Sequence, residues 1–203
     1  MRVFKLNTNP GLYSSNVYLA LGNWATIEDR NVLIDTGIDD YIMKSLDEIY
    51  TGVGKKSVDK VILTHNHFDH TGGLKYIIKK YKPEVIGFNN AVYVTKTVED
   101  QSQVKIGDEY FTVYHMPSHS YDSIVLYNHE HKVLFSGDTN FDIKNSDGSF
   151  SQLFVNNFEA LAKKGVNIIY PGHGNIITEN VDKILLNSMN KLNSSMITNK
   201  ETV

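Results

Sequence analysis

Three histidines and an aspartate fall within six consecutive positions of the stretch Thr64-His65-Asn66-His67-Phe68-Asp69-His70-Thr71-Gly72-Gly73. The whole chain holds eight histidines in 203 residues, so composition alone does not account for the cluster. Imidazole nitrogens and a carboxylate at this density suit zinc or another first-row divalent ion. A regular helix cannot converge them, because positions i, i+2, i+4 and i+5 scatter around its axis. An irregular strand-to-helix turn can, and the paired glycines let its backbone fold closely. The flanks fit that description. Val58-Asp59-Lys60-Val61-Ile62-Leu63 reads as a short buried strand, and Leu74–Tyr81 carries apolar residues at helical spacing.

Three further candidates share one format, each in a turn after an apolar strand pattern. His119 stands in Met116-Pro117-Ser118-His119-Ser120, Asp138 in Phe135-Ser136-Gly137-Asp138-Thr139, and His173 in Tyr170-Pro171-Gly172-His173-Gly174. Their glycine, proline and serine neighbours allow sharp turns at a sheet edge. His115 lies inside a strand pattern, and His129 and His131 sit in a hairpin turn, so these three read as structural or surface residues.

The elements that must position these loops follow from periodicity. Val3–Leu6, Val17–Leu21 and Val32–Ile34 are strands closed by turn residues and suggest an antiparallel meander. Asp39–Tyr50 reads as a helix with Ile42, Leu46 and Ile49 on one stripe. Pro83 stops the helix after the histidine loop, and Val85–Phe88 is the next strand. In the second half, Phe111, Val113 and His115 alternate with Thr112, Tyr114 and Met116, and Ser123–Tyr127 with Lys132–Phe135 form a hairpin. Phe154, Phe158 and Leu161 mark a helix closed by Gly165, and Val166–Tyr170 is a strand. Val181, Ile184, Leu185, Ser188, Met189 and Leu192 trace a last amphipathic helix. The tail from Asn193 to Val203 is polar and expected to fray. The expected architecture is α+β: one domain over 1–203, in two pseudo-repeated halves of roughly 1–105 and 106–203, with two sheets face to face and helices outside.

Bulk properties narrow the partners. Twenty basic against 23 acidic residues, net −3, give no electrostatic reason to expect nucleic acid or an anionic membrane. No cysteine is present, which excludes disulfides and thiolate ligands. The first eleven residues have no apolar run of signal-peptide type, and no segment approaches a membrane span. The expectation is a soluble cytoplasmic protein acting on a small molecule, with a homodimer left open.

The order Asp35-Thr36-Gly37, His-x-His-x-Asp-His at 65–70, His119, Asp138 and His173 resembles the metallo-β-lactamase superfamily, from about Val3 to His173. That resemblance implies an αββα sandwich with a binuclear site holding two divalent ions, zinc first and iron or manganese as alternatives. By position, His65, His67 and His119 would hold one ion. Asp69, His70 and His173 would hold the other, with Asp138 between them. Asp35 would steady the histidine loop without touching metal. Asp138 and the lack of cysteine argue against a true β-lactamase. The pattern is closest to small glyoxalase II-like (hydroxyacylglutathione hydrolase-like) proteins, although no glycine-arginine segment follows Asp138. Some thirty residues follow His173, too few for a glutathione-binding helical domain. Acyl-homoserine lactonases are similar in ligands but carry a tyrosine where Phe141 stands. Transfer-RNA-processing nucleases need a protruding arm that is not evident here.

The implied reaction is cleavage of a thioester or related acyl bond by a hydroxide held between the metals, with Asp69 orienting it and passing a proton to the leaving group. Tyr121, Phe141 and Lys144 are candidate substrate-facing residues. A lactonase, a mononuclear iron persulfide dioxygenase and a non-catalytic metal-binding module are the alternatives.

Overall fold

The computed structural model describes residues 1–24, 26–146 and 148–198. The chain forms two compact units, residues 1–98 with 103–111, and 99–102 with Thr112 onward. Each has its own apolar core.

The first unit opens with an antiparallel meander of β1 (Arg2–Lys5), β2 (Tyr18–Leu21) and β3 (Val32–Ile34). Helix α1 (Ile42–Glu48) then leads to β4 (Lys60–Ile62), parallel to β3 in the register Ile34↔Ile62. After the histidine stretch come α2 (Phe68–Thr71), α3 (Leu74–Tyr81), β5 (Glu84–Gly87) and the short β6 (Lys96–Thr97). These strands make one six-stranded sheet in sequence order. Its Leu19, Leu21, Leu33, Val61 and Val85 share a core with Ile42 and Leu46 of α1 and Leu74 and Ile77 of α3. The alternate residues Tyr18, Ala20, Val32, Ile34, Ile62 and Ile86 are buried too, so the strands read as unbroken apolar runs.

Helix α1 is shorter than the expected Asp39–Tyr50. The Asp39 carboxylate accepts from the Tyr41 amide at 3.0 Å and from Asn9 at 2.8 Å, which turns the backbone before the helix starts. At the far end Ile49 is extended. Helix α3 matches its expected span. Lys79 and Lys80 occupy its last turn, where the helix dipole favours cations, and Lys82 caps it in the left-handed region ahead of Pro83.

The second sheet has the order β12-β10-β9-β8-β7. It comprises β7 (Gln103–Ile106), β8 (Glu109–His115), β9 (Ile124–Asn128), β10 (Val133–Gly137) and β12 (Ile168–Pro171). Strands β8, β9 and β10 are antiparallel neighbours, and α4 (Gln152–Lys164) carries the chain over to β12, parallel to β10. Both units therefore run an antiparallel meander into a helical crossover and a parallel strand. Helix α4 starts at Ser151, whose hydroxyl accepts from the Phe154 amide at 3.2 Å, and stops at Gly165 with φ 78°. Helix α5 (Val181–Leu192) lies on the same core. Phe158 is fully buried there between Phe141 and Phe154, and its truncation to alanine would cost about 3–5 kcal/mol.

The tail corrects one expectation. Met196–Thr198 forms β13, paired in parallel with β11 (Ser149–Ser151) in the register Ser149↔Met196. The backbone supplies the pairing, and three residues inside a polar stretch are too few to show a period. Residues 199–203 lie outside the described residues.

Candidate metal centre

The first unit contributes Asp35, His65, His67, Asp69 and His70. Because β3 and β4 are parallel neighbours, the loops leaving them emerge at the same sheet edge. Asp35 follows β3 directly and sits in the left-handed region, φ 57°, a conformation a non-glycine residue holds only when its surroundings fix it. They do. Its Oδ1 accepts from the Thr64 amide at 2.8 Å, and its Oδ2 accepts from the Thr64 hydroxyl and from His70 Nδ1, each at 2.8 Å.

Those bonds fix the chemistry of two imidazoles. A carboxylate only accepts, so His70 carries its proton on Nδ1 and presents the Nε2 lone pair. The Thr64 hydroxyl spends its hydrogen on Asp35, so it accepts from His65 Nδ1 at 3.2 Å. His65 therefore presents Nε2 as well. One carboxylate sets both tautomers that a divalent ion requires.

The histidine stretch is not a simple turn, as expected, but a turn ending in one helical turn. His67 stands just before α2, and Asp69 and His70 lie on it. Amides of His70 and Thr71 donate to the His67 carbonyl at 3.0 and 3.1 Å. The His65 ring centroid is 4.6 Å from that of His67 and 4.1 Å from that of His70. The glycines act through proximity. A Cβ on Gly72 would meet the Ile38 carbonyl oxygen at 2.2 Å, and one on Gly73 the Thr36 carbonyl oxygen at 2.4 Å. The Thr36 amide and hydroxyl both donate to the His70 carbonyl, at 2.8 and 2.9 Å, and the Ser15 amide donates to that of Asp69 at 3.1 Å.

The second unit contributes His119, Asp138 and His173. Strands β8, β10 and β12 all run the same way, so the loops after them emerge at one end of their sheet. A register shift between Phe135 and Gly137, with Gly137 at φ 49°, turns the chain into Asp138, and the Gly172 amide donates to the Gly137 carbonyl at 2.7 Å. Asp138 Oδ2 lies 3.5 Å from His119 Nε2 and 3.5 Å from His173 Nε2. In the first unit, Asp69 Oδ2 lies 3.6 Å from His70 Nε2.

These distances test whether the donors fit a metal. They exceed a normal hydrogen bond. Two donor atoms each about 2.1 Å from one tetrahedral ion lie about 3.4 Å apart, which is the spacing found. The donor set is imidazole nitrogen and carboxylate oxygen without sulfur, the chemistry of zinc, iron and manganese sites. The residues fit.

His115 is a brace for the loop that carries His119. It is buried, its amide donates to Asp100 Oδ1 at 2.7 Å, and its Nε2 donates to the Tyr121 carbonyl across the loop's base. Asn157 donates to the His115 carbonyl at 2.9 Å. His129 contacts the Thr112 hydroxyl at 3.1 Å at the surface, and His131 is exposed.

The substrate-facing candidates separate. Lys144 is exposed, pairs with Asp142 and borders a cavity of about 410 Å³ together with His119 and Asp138. Phe141 edges a second cavity of about 450 Å³ whose wall includes His119, Asp138 and His173, yet its ring is buried and stacks on Phe158 at 5.1 Å. Tyr121 lines neither cavity and sets its ring edge-on to His115 at 5.5 Å. Asn140 borders both cavities, and sequence reasoning passed over it, as it did Thr64. Nothing in the local pattern marks Thr64, whose role depends on a carboxylate 29 positions away.

Comparison with known proteins bears on this arrangement. The profile of the metallo-beta-lactamase superfamily matches residues 10–108 and 90–173. Hydroxyacylglutathione hydrolase of Chromohalobacter salexigens is 32% identical over 116 residues, covering 56% of this chain and 44% of that one. Atrochrysone carboxyl ACP thioesterase of Aspergillus fumigatus is 30% identical over 190 residues, covering 88% and 58%. The chain thus spans about half the length of these curated relatives. Among solved structures, ETHE1 from Myxococcus xanthus superposes with a TM-score of 0.67 at 20% identity, covering 95% and 92%, which is a likeness of fold. The mixed sheets, the matched profile and the ordered histidine and aspartate loops agree: the chain belongs to the metallo-β-lactamase superfamily.

Proposed function

We propose that this protein is a metal-dependent hydrolase of thioesters or related acyl compounds, of the glyoxalase II-like type. His65, His67 and His119 would hold one divalent ion, Asp69, His70 and His173 a second, and Asp138 would touch both. Zinc is the first expectation, with iron or manganese as alternatives. The observation that carries the reading is the Asp138 Oδ2 position, 3.5 Å from both His119 Nε2 and His173 Nε2. A carboxylate oxygen placed evenly between two imidazoles suits a ligand shared by two ions. Relatives named as a hydroxyacylglutathione hydrolase and an ACP thioesterase support the choice of a thioester.

When bound, divalent ions lower the pKa of water from about 15.7 towards about 7 and polarise a carbonyl oxygen. The chain's own residues do the rest. Asp35 holds two imidazoles in the required tautomers. Asp69, its backbone pinned by Ser15, would orient the attacking water through its carboxylate and hand the proton to the departing thiolate. The two cavities that meet at His119, Asp138 and Asn140 offer room for the two sides of a small-molecule thioester. A lactonase is the weaker reading, because Phe141 carries no hydroxyl and its ring is sunk in the core.

Thiol release from S-lactoylglutathione and from acyl thioesters of graded length tests the proposal. Turnover is expected with metal-loaded protein, and Asp138→Ala is expected to lower both metal content and activity by at least tenfold. Inactivity of the fully metal-loaded protein on every thioester, with oxygen uptake on glutathione persulfide, would replace it with a dioxygenase.

A further inference from the structure

Ser188 is the polar member of the otherwise apolar stripe on α5, and it is fully buried. Its hydroxyl accepts from the Ile143 amide at 2.8 Å and donates to the Phe141 carbonyl at 3.0 Å. Both partners belong to the segment that leaves β10 through Asp138. That segment alternates: Phe141 and Ile143 point into the core, while Asn140 and Lys144 are exposed. Asn140, Phe141 and Asp142 border the cavity of about 450 Å³, and Asn140, Ile143 and Lys144 border that of about 410 Å³. The two cavities share His119, Asp138 and Asn140. The wall dividing them is therefore a loop whose inner backbone groups are satisfied by one hydroxyl on a different element.

We propose that Ser188 is a positioning residue for this wall, fixing the shape of both cavities through Phe141 and Ile143 without touching substrate. A backbone N–H and a carbonyl buried on either side of Asp142 need partners wherever the loop sits. With the hydroxyl present, one loop conformation satisfies both. Without it, the loop gains by moving outward to water, and the cavities lose their common wall.

Three variants separate positioning from packing. Ser188→Ala removes the hydroxyl. Ser188→Cys keeps nearly the same volume with a weak hydrogen-bonding group. Ser188→Thr keeps the hydroxyl but adds a methyl group at a fully buried site. Hydrogen exchange of the Ile143 amide, measured on the protein as isolated, is expected to rise roughly tenfold in the alanine and cysteine variants and to stay near wild type in the threonine variant. Resting on the hydrolase reading, KM for the thioester is expected to rise about tenfold in the same two variants, with kcat and metal content within about twofold. Wild-type exchange and KM in Ser188→Cys, with both disturbed in Ser188→Thr, would make Ser188 a packing residue only and overturn the proposal. If Ser188→Ala does not fold, the cysteine and threonine pair decides alone. If the wild type turns over no thioester, the hydrolase reading fails while the exchange ranking still decides the role of Ser188.

Discussion

Asp35 ties together two histidines of the candidate metal centre through hydrogen bonds alone. It holds Thr64 by two hydrogen bonds and His70 by one, and through Thr64 it sets the tautomer of His65. Replacing it with asparagine puts a donor where the imidazole also donates. Asp35→Asn is expected to weaken metal binding by about 10–100-fold, read by competition with a chromogenic chelator. His129→Ala, at an exposed position, is expected to leave metal content and activity unchanged. An equal loss in both variants would contradict the assignment. At this scale the candidate donors were legible, because three histidines and an aspartate within six positions stand out in a chain of eight histidines. The family resemblance implied that Asp35 steadies the histidine loop, but its particular bonds were not legible, because they join positions 29 and 35 residues apart through a parallel strand register that no local pattern carries.

Among elements, the turn after β3 and the start of α3 approach each other closely, backbone against backbone. A Cβ on Gly73 would lie 2.4 Å from the Thr36 carbonyl oxygen and 2.5 Å from that of Asp39, backbone atoms that cannot rotate away. Gly73→Ala is expected to destabilise the protein by about 2 kcal/mol or more, and to lower metal content because the two turns separate. Gly54→Ala provides the comparison. Its φ is +69° but nothing lies within 4 Å of the added carbon, so it is expected to cost only about 1 kcal/mol, with metal content unchanged. Denaturant unfolding and metal analysis of the two variants check this; equal effects would remove the close-approach argument. The need for two glycines was legible from the sequence, but the reason was not. It lies in what packs against them, and their own φ values are ordinary helical ones. The same holds for α1, where a local carboxylate turn outweighed the apolar stripe, and for β13, where backbone pairing ordered three residues of a polar tail.

At the scale of the molecule, each unit centres its core on strands buried along their whole length, β2 and β3 in the first and β9 and β10 in the second, and in the second unit that burial reaches two tyrosines. Burial raises the Tyr114 phenol above the usual tyrosine value, with the Asp100 charge adding to it, and burial likewise raises Tyr127. A phenol held neutral by the fold releases its proton at higher pH than in the unfolded chain. The associated stability is present in full below about pH 10 and falls as pH rises further. Tyr114→Phe and Tyr127→Phe are each expected to flatten that alkaline loss, measured as the unfolding midpoint between pH 8 and 11. At neutral pH Tyr127→Phe is also expected to cost about 1 kcal/mol, because the Gly165 carbonyl loses its 2.8 Å hydroxyl partner. An unchanged alkaline slope would contradict the burial argument. The meander, the hairpin and the helical crossovers were legible as periods, and both units follow that plan. The strands β6, β11 and β13 were missed because each pairs over two or three residues without apolar alternation, whereas β7 was passed over although Val104 and Ile106 alternate with Gln103 and Lys105 and are buried.

The central proposal is that the histidine and aspartate loops would serve a two-metal hydrolytic centre. The most direct measurement is thioester cleavage in oxygen-free buffer as metal-stripped protein is titrated with zinc or manganese. The account predicts no activity in the stripped protein, recovery on addition of metal, and saturation at two ions per chain with oxygen absent throughout. Full activity in the stripped protein, or activity that saturates at one iron and requires oxygen, would contradict it.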